Sequence, residues 1–326
     1  MATSGTVGNT RISVTKLVEH AVRRCGLPVE TQTSETLDIA RDNLFTMLLA
    51  SANRGYYLWC VEKQYIGLIE AKAVYDTPVG TVDLSDVVYS MPTRVTGTDT
   101  TLAQSVTTVL DTEAQLKRVG LKFTSITVAE TVTVSALVDS VWTTVLSQTK
   151  TDWDVDTWYW FDLDTLPTST EFKVATTLAS TVAEFYLASE ISDLPISPLN
   201  RDTYSVLSNK YTSARPVTNY MVEKKVNPTI TLWPLPNNSY DHLTVWVHRQ
   251  IQDVGAFTND LEIPNRWYEA VIWQLAFRLS MELRGVDPSR TQILGQMADK
   301  YLIEAEKDEV DGMPTYMQPN IGVYSA

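Results

Sequence analysis

P-L-N-R-D-T-Y (residues 198–204), R-P-V-T-N-Y (215–220), L-W-P-L-P (232–236), V-W-V-H-R-Q-I-Q-D (245–253) and N-D-L-E-I-P-N-R-W-Y-E-A (259–270) follow one another in the second half of this chain. Residues 220–223 and 229–233 alternate or are β-branched and predict strands. Residues 234–238, P-L-P-N-N, predict a turn. Residues 243–249 have period two, with Leu243, Val245 and Val247 on one face and Thr244, Trp246 and His248 on the other. Pro264 then precedes a helix over 265–284. Ile272, Leu275, Ala276, Leu279 and Leu283 form one stripe of it, and Trp273, Phe277 and Met281 another. A helix apolar on so much of its circumference belongs at the centre of a packed body.

Outward from there, the periodicity predicts three more helices. Residues 288–309 place Leu294, Met297, Ala298, Tyr301 and Ala305 on one face, after an Asp287–Pro288 start. Leu17, Val18, Ala21, Val22 and Cys25 give a helix over 14–25 that stops at Gly26. Residues 34–53 carry Leu37, Ala40, Leu44, Met47, Leu48 and Ser51 on one stripe. Short amphipathic helices need partners, so the reading joins the helices of both ends into one bundle. Between them, residues 64–96 predict short strands and turns. Residues 97–190 hold 21 threonines and five Lys or Arg, with alternating runs such as Val132-Thr133-Val134, and predict a β-sandwich. The expected fold is α+β: a helical bundle from residues 1–63 and 261–311, a parent β-domain from 64–96 and 191–260, an inserted threonine-rich β-sandwich at 97–190, and an extended arm at 312–326.

The succession from Pro198 to Leu283, with Leu58-Trp59 after the second helix, resembles the head-to-tail adaptor proteins of short-tailed bacteriophages, the group that includes tail tubular protein A. The resemblance covers about 150 C-terminal residues and a helical segment near the N-terminus, and leaves out the middle. It implies a non-enzymatic virion structural protein, made in the host cytoplasm and placed at the head–tail junction. It further implies a homo-oligomeric ring of twelve subunits between the portal protein and a tail nozzle or tail tube protein. DNA would pass through the lumen without specific binding. In that family C-terminal segments reach the portal. The uncharged tail here, with Pro314, Tyr316, Met317, Pro319, Ile321 and Tyr324, would be the portal-docking arm; packing back on its own helices is the alternative.

Composition agrees with a role in contact rather than chemistry. Nine Trp and fifteen Tyr stand in a chain only 20% charged, below the usual ~25%, and large rings are enriched in interfaces as well as cores. The net charge of −13 opposes the phosphate contacts that duplex binding needs. Cys25 and Cys60 form no metal or redox motif. Residues 1–10 lack the pattern of a signal peptide, and no apolar run reaches ~18 residues, so neither a leader nor a membrane span is expected.

Candidate chemistry is sparse. Asp152, Asp154 and Asp156 alternate like calcium ligands, but the sixth and twelfth positions of such a loop hold Thr157 and Leu163, and a polar turn is the plainer reading. Trp142, Trp153 and Trp158-Tyr159-Trp160-Phe161 suggest an aromatic platform for sugars, or a sandwich core. His20, His242 and His248 are scattered, and no nucleophile–base, zinc or phosphate-loop motif is present. No catalytic, cofactor or metal residue is assigned. A carbohydrate-binding surface module of a phage tail is the second reading; a cell-wall hydrolase is a distant third.

Overall fold

A computed structural model describes residues 12–27, 33–52, 58–102, 104–127, 129–151, 153–177, 180–251, 258 and 260–307. The docking arm therefore lies outside the described residues. The chain divides into two compact units, residues 1–60 with 250–326, and residues 61–249.

The first unit is helical. α1 (Val14–Arg24) and α2 (Ser34–Ala52) come from one end of the chain. After α3 (Arg201–Val206), a short helix of the other unit, α4 (Tyr268–Glu282) and α5 (Pro288–Lys307) come from the other end. Leu17, Val18 and Ala21 of α1, Ala40 and Leu44 of α2, and Leu275, Ala276 and Leu279 of α4 are all fully buried in one core. Each of these leucines and valines stabilises by roughly 1.5–3 kcal/mol on burial. The ends are set locally. Gly26 and Gly285 take positive φ values of 85° and 89° after α1 and α4, a conformation that suits glycine. Asp287 caps α5 by accepting from the Ser289 backbone N–H at 2.9 Å.

The second unit is β. Its first half holds β1 (Val61–Gly67), β2 (Val74–Asp76), β3 (Thr81–Arg94), β4 (Gly97–Leu102), β5 (Ser105–Gln115), β6 (Arg118–Ser125), β7 (Glu130–Val138) and β8 (Val141–Lys150). Then come β9 (Trp158–Asp162), β10 (Thr168–Thr176), β11 (Thr181–Pro195), β12 (Ser197–Pro198), β13 (Ser213–Ala214), β14 (Asn219–Glu223), β15 (Thr229–Trp233), β16 (Leu235–Pro236) and β17 (His242–Arg249). Six of them form one sheet in the order β1-β17-β3-β11-β6-β9. Its edge strands β1 and β9 meet side by side, so the sheet nearly closes on itself. A five-stranded sheet, β4-β5-β10-β7-β8, packs over the outer face of β6, β9 and β11 through Phe123, Val134, Leu146, Phe172 and Leu187. A four-stranded sheet, β12-β14-β15-β2, covers β1, β3 and β17 through Ile230, Leu232, Tyr75, Val87 and Val245.

This architecture overturns the expected helical bundle with β-insertions. Strand accounts for 45% and helix for 28% of the described residues, and the nearly closed sheet is the largest sheet among them. The helical periods at the chain ends are real. The middle, however, is neither a minor nor a detached insert. β11 begins inside the threonine-rich stretch and hydrogen-bonds β6 on one side and β3 on the other. Residues 97–190 therefore supply β6, β9 and most of β11 to the same sheet as β1, β3 and β17. Hydrophobic alternation marks a strand but not its neighbour, which is why the reading cut this sheet in two.

Candidate functional site

The inside of the curled sheet is polar and aromatic. Arg118, at the start of β6, donates from Nε to Asp162 Oδ1 at 2.8 Å. Lys63 Nζ donates to Asp162 Oδ2 at 2.7 Å, and the Tyr65 hydroxyl donates to the same oxygen. Asp162 sits on β9, and Lys63 and Tyr65 on β1, so these bonds clasp the two sheet edges. Burial pushes the Asp162 carboxyl up, but the bonds from Lys63, Tyr65 and Arg118 outweigh it and hold the pKa at about 2. Arg118 Nη1 lies 2.7 Å from His242 Nε2. A guanidinium can only donate, so Nε2 accepts and the imidazole proton rides on Nδ1. Burial first, then the Arg118 charge, drives the His242 pKa well below its ordinary value. The ring stacks on Trp160 at 4.3 Å. Both His242 Nδ1 and Trp160 Nε1 are buried without a hydrogen-bond partner.

Beside this interior lies a second cluster, on Asp241. Arg215 reaches it with Nε at 2.8 Å and Nη2 at 3.0 Å. The Tyr89 hydroxyl donates at 2.5 Å and Asn238 Nδ2 at 2.9 Å. The conspicuous R-P-V-T-N-Y segment and the 234–238 turn are thus tied together through one buried carboxylate. Neither cluster presents a nucleophile beside a base, and among the described residues no group of three or more His, Cys, Asp or Glu could hold a metal ion.

The residues singled out from sequence fare unevenly. Asp152 lies outside the described residues. The Asp154 N–H donates to the Tyr159 hydroxyl at 2.8 Å, and the Asp156 N–H to the Phe123 carbonyl at 2.8 Å, as befits a turn before β9. The aromatic platform does not assemble. Along β9 the pleat sends Trp158 and Trp160 into the interior with Tyr186, while Tyr159 and Phe161 face Trp153 in the core between the sheets. Trp153, Trp158 and Trp160 are 3%, 6% and 2% exposed, too little to stack on a sugar. Trp142 is exposed alone, beneath Lys173. His20 is exposed, and His248 is buried on β17.

Two of the hollows among the described residues bear on function. In the helical unit a small apolar cavity is lined by Met47, Leu48, Trp59, Ile263, Trp267 and Leu302. In the β unit a cleft of about 410 Å³ lies between Ser85, Asp86, Pro195, Pro198, Tyr220 and Trp246. The sequence does not reveal this cleft; its one visible sign is Trp246 on the face of β17 opposite Leu243, Val245 and Val247.

No family model matches the chain, and no curated protein does. Partial overlaps with solved structures do occur. The family 32 carbohydrate-binding module of Clostridium perfringens NanJ, in complex with galactose, is 11% identical, with 41% of this chain and 94% of that one covered and a TM-score of 0.23. The module from Streptococcus pneumoniae EndoD is 9% identical over 29% of this chain and 75% of that one, TM-score 0.23. A candidate alpha-L-fucosidase from Bacteroides thetaiotaomicron is 13% identical over 30% of this chain, TM-score 0.24, and only 22% of its own length is spanned. At these scores the overlaps carry no argument about this chain.

Proposed function

We propose that the chain is a structural, non-catalytic component of a phage virion: an adaptor ring between portal and tail that extends the DNA channel. The reading rests on the ordered segments from Pro198 to Leu283. They fall on or beside β12, β14, β15, β17 and α4, and within the β unit Arg215 and Asn238 meet on Asp241. The twelve-fold ring, the portal partner and the tail nozzle or tube partner belong to the same proposal. Negative-stain imaging of the purified protein mixed with its portal tests it. Rings stacked on portals are the expected outcome; a monodisperse monomer that leaves portals bare overturns the reading.

The docking arm has its own test. The described part of α5 runs to Lys307, and Gly312 and Pro314 are helix-stopping residues beyond it, so truncation after Gly312 should leave the circular-dichroism spectrum and melting temperature unchanged while attachment to the portal is lost. Wild-type occupancy of portals by the truncated chain would assign the attachment to the helices instead. A second reading, carbohydrate binding by the β unit, is favoured by one observation, the cleft beside Trp246.

A further inference from the structure

We infer that this cleft is a binding site for a single pyranose ring bearing vicinal hydroxyls, held by Trp246, Asp86, Tyr220 and Ser85. The inference rests on the carbohydrate reading and is independent of the adaptor reading. Trp246 and Asp86 are directly opposed in the β17–β3 register, so their side chains share a face of the sheet. Tyr220 arrives from β14, which pairs with Pro198 of β12, and Pro195, Ile196 and Pro198 wall the cleft. The volume of about 410 Å³ falls within the range of small-molecule sites, roughly 300–1,000 Å³.

The polar groups make the case. Most buried or half-buried polar side chains of this unit are engaged: Asp83, for example, takes Lys224 Nζ at 2.6 Å, and Asp241 takes four hydrogen bonds from Arg215, Tyr89 and Asn238. Around the cleft, the Asp86 carboxylate, the Ser85 hydroxyl, the Tyr220 hydroxyl and the Trp246 indole N–H make no hydrogen bond to one another or to another side chain among the described residues. Tyr220 is only 8% exposed, yet its hydroxyl is not among the sealed unpaired atoms, so it opens onto the cleft. The set mixes one strong acceptor with three donors beside an aromatic face. A sugar matches it: two adjacent hydroxyls donate to the carboxylate, while ring or hydroxyl oxygens accept from the indole N–H and the phenol. An ammonium ligand would use Asp86 and the ring but leave the indole N–H idle, since both are donors.

The test follows the Trp246 indole N–H in the full chain by NMR, assigned with W246F, during titration with glucose, galactose, mannose, N-acetylglucosamine and a uronic acid. A saturable shift with one of them is expected. D86N, Y220F and W246A should each weaken binding by roughly tenfold or more, the loss of one good contact, with melting temperatures unchanged in the exposed-site variant D86N. If no sugar moves the resonance saturably, or if methylammonium or lysine does and sugars do not, the site assignment is overturned. A glycan array run in parallel separates the two claims. Retention that is equal in wild type, D86N and W246A overturns this site and leaves carbohydrate binding elsewhere on the chain. An array with no retained glycan overturns the broader reading, while the indole titration still decides the cleft.

Discussion

A methyl group added at Gly67 would lie 2.6 Å from the Trp158 carbonyl oxygen and 2.7 Å from its Cβ. Both contacts are to atoms that cannot swing aside, because they belong to the backbone of β9 or hang directly from it. Gly67→Ala should therefore pry apart the two edges of the curled sheet. A loss of about 1–3 kcal/mol is expected, read as a lower urea midpoint with an unchanged slope; a midpoint equal to wild type would show that the edges do not touch. The clasp residues make stability depend on pH. His242 is neutral in the fold, with its pKa far below the 6.5 of a free histidine. The unfolded chain then binds more protons below pH 6.5, so stability falls as pH falls through that point. Asp162, held at about 2 against an ordinary 3.8, adds stability that persists above the ordinary value and disappears between about 4 and 2. Urea midpoints measured from pH 7 to 3 should decline in two stages, and His242→Gln should flatten the first. Equal slopes in wild type and H242Q between pH 6.5 and 5 would refute the assignment.

β11 shows what alternation can and cannot reveal. Its apolar residues identify a strand from sequence, yet nothing in them says that β6 and β3 flank it. Excising residues 97–190 would remove β6, β9 and most of β11 and strip β3 of one neighbour. The shortened chain should therefore lose its β circular-dichroism signal and aggregate; a soluble, cooperatively melting product would restore the idea of a detachable module. The helices were far more legible. Leu17, Val18, Ala21 and Val22 alone place α1, and Gly26, Gly285 and Asp287 mark boundaries, because these signals act within a few residues. The tryptophans of β9 were legible as a cluster but not as two half-clusters on opposite faces. The clasp of Lys63, Tyr65, Arg118, Asp162 and His242 was invisible, since it draws on four strands spread over 180 positions. Trp246 was seen on the correct face of β17, but its cleft depends on β12 and β14 arriving from elsewhere.

With a formal charge of −13, the chain as a whole offers no net attraction to a phosphate backbone. Fluorescence anisotropy with a labelled duplex at ~150 mM salt should show no binding at micromolar protein; a submicromolar dissociation constant would contradict this. Acidic walls and a DNA conduit remain compatible, because repulsion keeps the polymer sliding rather than adhering.

The helical unit is written in two halves, residues 1–60 and 250–326, with the β unit between them. During synthesis α1 and α2 leave the ribosome with Leu17, Val18, Ala40 and Leu44 uncovered, and their partners on α4 follow more than two hundred residues later. At about 5–20 residues per second that interval lasts roughly ten to forty seconds. For that time the nascent chain trails a naked apolar face past a β unit still pairing its strands, so a chaperone that shields emerging helices would govern how much protein reaches its finished form.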